Sequence, residues 1–156
     1  MQSQLIIDNQ SVAAQSGATF SRVHPSTGEV VTHAAAGGVA DAVAAANSAQ
    51  AAFQSWRHSA PSERRRLLNK AADVLDSMTP KFIEAMGAEV GASGLWAGFN
   101  VFLAANVFRE AASMVTQIQG ETIPTDKPGA LSMTVRQPVG VILTTLPRHP
   151  PVVFAP

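Results

Sequence analysis

Residue types that carry reaction chemistry are sparse in this chain of 156 amino acids. Cysteine is absent, which excludes disulfides, thiolate metal sites and a cysteine nucleophile within these residues. The four histidines are His24, His33, His58 and His149. None stands one helical turn from a carboxylate in a ligand-like pair, so no metal site is expected. His24 and His33 read instead as ordinary turn and strand residues. No residue order or local motif points to a Ser–His–Asp set. Gly37-Gly38 and Gly87, Gly91, Gly94 and Gly98 lack the preceding buried strand and the spacing of a phosphate loop. Arg64-Arg65-Arg66, the one basic cluster, reads as a solvated helix face, because a phosphate-binding footprint needs a wider patch. No catalytic residue is assigned from these types and spacings.

The stretch with the clearest bearing on ligand chemistry lies late in the chain. Val141 to Leu146 is uncharged and β-rich, bounded by Gly140 and Pro147, and predicts a buried strand. In a doubly wound sheet such a strand leads into the loop that meets a nucleotide. Only Pro147 to Pro156 follow it here, fewer residues than a parallel crossover needs. The expectation is a chain that reaches the threshold of a nucleotide-binding sheet without completing it.

The elements before that strand change period once. Leu5-Ile6-Ile7 and Gln10-Ser11-Val12 flank a plausible Asp8-Asn9 turn. Thr19 to Val23 and Glu29 to Ala35 alternate around a Ser26-Thr27-Gly28 turn. From Val39 to Trp56 the period is helical, with Val39, Val43, Ala46, Ala49 and Phe53 on one face. A second helix starts at Pro61 and runs to about Met78. A third is capped by Thr79-Pro80, presents Phe82, Ile83, Met86 and Val90, and stops near Gly91.

The fourth helix, from about Ser93 to Gln119, is the least polar part of the chain. Trp96, Phe99, Leu103, Val107, Ala111, Met114 and Ile118 form one stripe, and Leu95, Phe102, Ala105, Ala112 and Val115 a second. Arg109 and Glu110 are its only charges, so most of its circumference should be covered. At roughly 39 Å it is longer than one small layer can cover. Leu131 to Gln137 alternates as a half-exposed strand with no obvious local partner, so it pairs with the opening strands or with another chain.

The totals add exclusions. Eleven basic and eleven acidic residues cancel, so broad attraction to nucleic acid or an anionic membrane is not expected. No apolar run approaches the roughly 18 residues of a membrane span, and Met1 to Val12 does not resemble a signal peptide. The expectation is a soluble cytoplasmic protein.

Longer blocks carry a resemblance. They are His24 to Val30, Phe53-x-x-Trp56, Pro61 to Leu68, Leu95 to Val101, Ala105 to Ser113, Thr116 to Lys127 and Leu131 to Gly140. Together they resemble the amino-terminal part of an NAD(P)-dependent aldehyde dehydrogenase, and in particular the aromatic-aldehyde branch of that family. The resemblance covers residues 1–147. It implies an α/β fold, incomplete here, with opening strands, four helices, an oligomerisation strand and the first strand of a Rossmann-type sheet. Residues 1–130 would belong to the cofactor domain, 131–138 to the oligomerisation arm and 139–156 to the start of the nucleotide-binding sheet.

The resemblance also implies roles. Thr145, Leu146 and Pro147 would border the nicotinamide end of NAD or NADP. Trp96, Phe99 and Leu103 would line the tunnel for a salicylaldehyde-like aryl aldehyde, unless they are simply core. Leu131 to Gln137 would pair with another subunit in a homo-oligomer. After Pro147 the family usually continues Trp-Asn, the Asn amide stabilising an oxyanion, whereas this chain has Arg148-His149. The family's thiolate nucleophile and water-activating Glu would lie beyond Pro156. The chain is therefore expected to be inactive by itself. The alternative is a non-enzymatic helical interaction module that assembles through residues 131–137.

Overall fold

A computed structural model describes residues 1–146. The opening segment forms β1 (Gln2–Ser3), β2 (Leu5–Ile7), β3 (Gln10–Val12), β4 (Thr19–Val23) and β5 (Val30–Ala35). Asp8 and Asn9 both have positive φ, the geometry of the tight turn that suits the right-handed twist of a two-strand hairpin. They join β2 to β3, with Leu5 opposite Val12 and Ile7 opposite Gln10. The other three strands form a sheet in the order β1-β5-β4, with β1 parallel and β4 antiparallel to β5. His24 serves the turn between β4 and β5, as its sequence setting predicts. Its Nδ1 accepts hydrogen bonds from the Ser26 and Thr27 N–H groups.

Four helices follow: α1 (Val39–Trp56), α2 (Pro61–Ser77), α3 (Thr79–Val90) and α4 (Gly94–Met114), the last ending in a 3₁₀ turn over Val115–Gln117. Pro61 opens α2, where its missing N–H leaves nothing unpaired. Thr79 does not cap α3 as expected. Met78 occupies that position, and the Thr79 hydroxyl donates back to the Asp76 carbonyl at 2.8 Å, joining α3 to the end of α2. Gly91 ends α3 in the left-handed region (φ +67°), which glycine enters without a Cβ penalty.

The core lies where α4 packs on α2 and α3. Its buried residues are small: Ala72 from α2 and Ala97, Val101, Ala104, Ala105 and Ala112 from α4, with Met86 of α3 the largest hydrophobe among them. Small side chains let helix axes approach closely, so α4 turns its alanine face inward. The expectation that the circumference of α4 is covered is therefore corrected. Leu95, Trp96, Phe99, Phe102, Val107 and Met114 are exposed. The face predicted for α1 is likewise open: Val39 and Val43 are exposed and Phe53 is half-buried. Packing, not hydrophobicity alone, decides which side of a helix is buried, and among the described residues most of these two faces stays open.

Polar ties fasten the sheet to the helices and the helices to one another. Arg22 of β4 pairs with Glu89 of α3 at 3.1 Å, and the buried Thr32 of β5 donates to the same carboxylate at 2.8 Å. Arg109 of α4 spans Asp73 and Asp76 of α2 at 3.0 and 2.6 Å.

The last described elements correct two strand expectations. Within Leu131 to Gln137 only β7 (Ser132–Met133) is regular, and it has a local partner, the antiparallel β6 (Thr122–Ile123). Residues 124–131 bring the chain back on itself, which the alternation in the sequence did not reveal. Val141 to Leu146 is not a buried strand: it is irregular, with every residue exposed. A strand exists through its ladder of hydrogen bonds, and among the described residues this segment has no strand partner.

Candidate functional site

The first turn of α4 builds the aromatic surface. Ser93 caps it by accepting from the Trp96 N–H at 3.3 Å, the usual work of a serine at a helix start. Gly94 and Gly98 face Ile83 of α3, whose methyl groups lie 3.7 Å from where a Cβ would stand. That close contact fixes the rotation of α4 and turns Trp96, Phe99 and Leu103 away from α3. The Trp96 and Phe99 rings stack at 5.7 Å between centroids and 27° between planes. Trp96 is 47% exposed and Phe99 48%, while Leu103 is half-buried. The three residues thus share one face as their spacing requires, and they form an open apolar wall.

Such a wall can hold a flat aryl group by offset stacking. It offers no acid, base or nucleophile of its own. Asn100, one turn beyond Trp96, is the polar residue nearest in sequence, and it is buried. Neither the spacing nor the resemblance singled it out, though an Asn inside so apolar a helix was a visible signal.

Of the positions expected to border the nicotinamide, Thr145 and Leu146 lie in the irregular exposed segment. Pro147, Arg148 and His149 lie outside the described residues. The described residues therefore bring Thr145 and Leu146 into no arrangement that could grip a dinucleotide. Among those residues no three His, Cys, Asp or Glu side chains gather at metal-binding distance.

The Arg64–Arg66 cluster departs from a simple solvated face, because each guanidinium has a structural partner. Arg64 donates to Ser59 Oγ at 2.8 Å and lies over the Trp56 ring. Arg65 donates to the Ala112 carbonyl and to Thr116 Oγ1, serving the C-terminal end of α4. Arg66 pairs with Glu63 at 2.6 Å, which holds the Glu63 carboxyl below its ordinary range and raises the guanidinium. Beside them runs an apolar groove of about 560 Å³ between α2 and the end of α4, lined by Trp56, Leu67, Leu68, Met114, Val115 and Ile118.

Asp41 was also missed. It is 6% exposed at the third position of α1. One carboxylate oxygen accepts from the Gly38 N–H at 2.8 Å and the other from the Gln15 N–H at 3.0 Å. These two donors hold its carboxyl below the usual range. An acidic residue three positions after the helix start was the available sequence sign.

A small mixed sheet fastened to a helical layer is an architecture shared with larger proteins. The aldehyde dehydrogenase family model matches residues 12–155. The chain belongs to the aldehyde dehydrogenase family.

Salicylaldehyde dehydrogenase of Pseudomonas putida is 57% identical over 155 residues, covering 99% of this chain and 32% of that protein. Vanillin dehydrogenase of Pseudomonas fluorescens is 52% identical, covering 97% and 31%. In three dimensions the chain is similar to the crystal structure of a salicylaldehyde dehydrogenase from Pseudomonas putida G7 complexed with salicylaldehyde. The TM-score is 0.88 at 60% identity, covering 90% of this chain and 29% of that one. An NAD-dependent aldehyde dehydrogenase from Sinorhizobium meliloti superposes with TM-score 0.80 at 28% identity, over 85% of this chain and 27% of that one. The chain spans about a third of the length of the curated relatives it matches. No helix among the described residues is long and apolar enough to cross a membrane.

Proposed function

We propose that this chain supplies the aryl-recognition wall of a cytoplasmic aldehyde dehydrogenase that oxidises a salicylaldehyde-like aromatic aldehyde to its carboxylate with NAD or NADP. The observation that carries this reading is the exposed, stacked Trp96–Phe99 pair on α4, with Leu103 beside it. Its support from comparison is the 57% identity to salicylaldehyde dehydrogenase. The substrate ring lies along this wall, and its aldehyde carbon points toward groups that residues 1–156 do not include.

The chemistry of the family needs a thiolate to attack the aldehyde and form a thiohemiacetal. A bound NAD or NADP would supply the hydride acceptor, and water would then hydrolyse the resulting thioester. The chain holds no cysteine, so no thiohemiacetal or thioester forms on it. Thr145, Leu146 and Pro147 would border the nicotinamide once Val141 to Leu146 has neighbouring strands to pair with. His149 stands where the family's oxyanion-stabilising Asn is expected. Residues 1–130 act as the strand-and-helix part of the cofactor domain, 131–138 as an arm that joins another subunit, and 139–156 as the beginning of the nucleotide-binding sheet. The exposed Leu131, Met133 and Val135 support the arm.

The test is spectrophotometric. The purified chain, given NAD⁺ and salicylaldehyde, is expected to produce no NADH above the blank. The same chain joined to the remaining part of Pseudomonas putida salicylaldehyde dehydrogenase, with Asn at position 149, is expected to produce it in proportion to the aldehyde. Turnover by the chain alone would overturn the first half of the reading. A folded fusion without turnover would overturn the second.

A further inference from the structure

The first turns of α4 contain one side chain that neither packs as a hydrophobe nor completes its hydrogen bonds. Asn100 is 1% exposed. Its Nδ2 donates to the Trp96 carbonyl at 2.8 Å, and its Oδ1 has no partner among the described residues. An apolar residue of similar size would fill the position without stranding a buried acceptor, and leucine would also favour the helix more. Helix stability therefore does not account for an amide here.

What the amide supplies is a second bond on one peptide group. The Trp96 carbonyl already lies in the backbone ladder of α4, and the Asn100 side chain adds a donor to it. The other side of the same residue is held too, since the Trp96 N–H donates to Ser93 Oγ. Beneath, Ile83 packs against Gly94 and Gly98. The Trp96 backbone is thus fixed at its N–H, at its carbonyl and along the face below, while its ring stands half-exposed against Phe99.

We propose that Asn100 is a positioning residue for the Trp96–Phe99 wall, its Nδ2–H bond to the Trp96 carbonyl setting the direction in which the indole is presented. The purpose assigned to that wall rests on the aryl-aldehyde reading above. Asn100 does not touch the substrate. It acts through Trp96.

The test compares Asn100→Thr with Asn100→Val in the full chain. The two side chains are nearly the same shape, but a threonine hydroxyl in a helix can donate to the carbonyl four residues back and valine cannot. Packing losses are common to both and cancel in the comparison. With Trp56→Phe, 5-fluorotryptophan reports Trp96 alone by ¹⁹F NMR. Without ligand, Asn100→Thr should keep the parent's shift and line width, and Asn100→Val should move and broaden the signal at a similar melting temperature.

Titrated with salicylaldehyde, Asn100→Val should bind about three- to tenfold more weakly than Asn100→Thr, the effect of one net hydrogen bond. Equal disturbance by both variants, or an undisturbed Trp96 signal in Asn100→Val, overturns the proposal. Asn100→Ser against Asn100→Ala repeats the contrast with side chains too small to clash, should the larger pair not fold. If the parent's signal ignores salicylaldehyde, the aryl-aldehyde reading fails, while the ligand-free contrast still decides the role of Asn100.

Discussion

Asp41 shows how one residue couples two parts of the fold. Its carboxylate takes the Gly38 N–H at the head of α1 and the Gln15 N–H in the loop after β3. Because both donors favour the charged form, the folded-state carboxyl lies below its unfolded value. Stability from this group is then fully present above the ordinary carboxylate range and is lost as pH falls through the depressed folded value. Thermal melts of the parent between pH 7 and pH 3 should show a falling acid limb. Asp41→Asn should melt lower at pH 7 and show a shallower limb, and an unchanged limb would refute the assignment. Gly120 makes a different demand. A Cβ there would overlap the Thr134 carbonyl oxygen of the crossing segment. Gly120→Ala should cost about 1–3 kcal/mol as an overpacking change. It should also remove hydrogen-exchange protection from the Thr134 amide, which now bonds the Glu121 carbonyl at 2.8 Å.

Among the elements, α4 tests whether small residues or large ones hold the core. Ala104 is 2% exposed and Phe102 63%. Ala104→Leu should therefore lower stability by about 1–3 kcal/mol in a denaturant titration, whereas Phe102→Ser should change it by no more than about 0.5 kcal/mol. The reverse order would mean that the aromatic face is the buried one. The boundaries of α1 to α3 were legible because Gly38, Pro61 and Gly91 punctuate strongly periodic runs. So was the β2–β3 hairpin, since Asp8-Asn9 tolerates positive φ. The buried side of α4 was not legible. Periodicity finds the faces of a helix, but in a helix apolar all round it cannot say which face meets a neighbour. The irregularity of Val141 to Leu146 was invisible for a related reason: strand propensity is local, and pairing is not. At the candidate site, the shared face of Trp96, Phe99 and Leu103 followed from spacing of three and four. Asn100 did not, because its importance lies in a bond to a backbone carbonyl.

The described residues present two apolar helix faces, on α1 and α4, and in addition an apolar segment at Val139 to Leu146. Exposed apolar surface of this extent marks a site where more protein packs, and the chain spans about a third of the length of its curated relatives. Hydrophobic dye should bind the isolated chain, and the fusion to the remaining part of salicylaldehyde dehydrogenase should suppress that fluorescence. The proposed function requires that the wall on α4 recognise an aryl ring. The direct measurement of that recognition is the steady-state kinetics of Trp96→Ala in that fusion, with salicylaldehyde and acetaldehyde as alternative substrates. Losing one aromatic contact should lower kcat/KM for salicylaldehyde about tenfold and leave acetaldehyde unchanged. Equal loss for both aldehydes, or no loss for either, would contradict it.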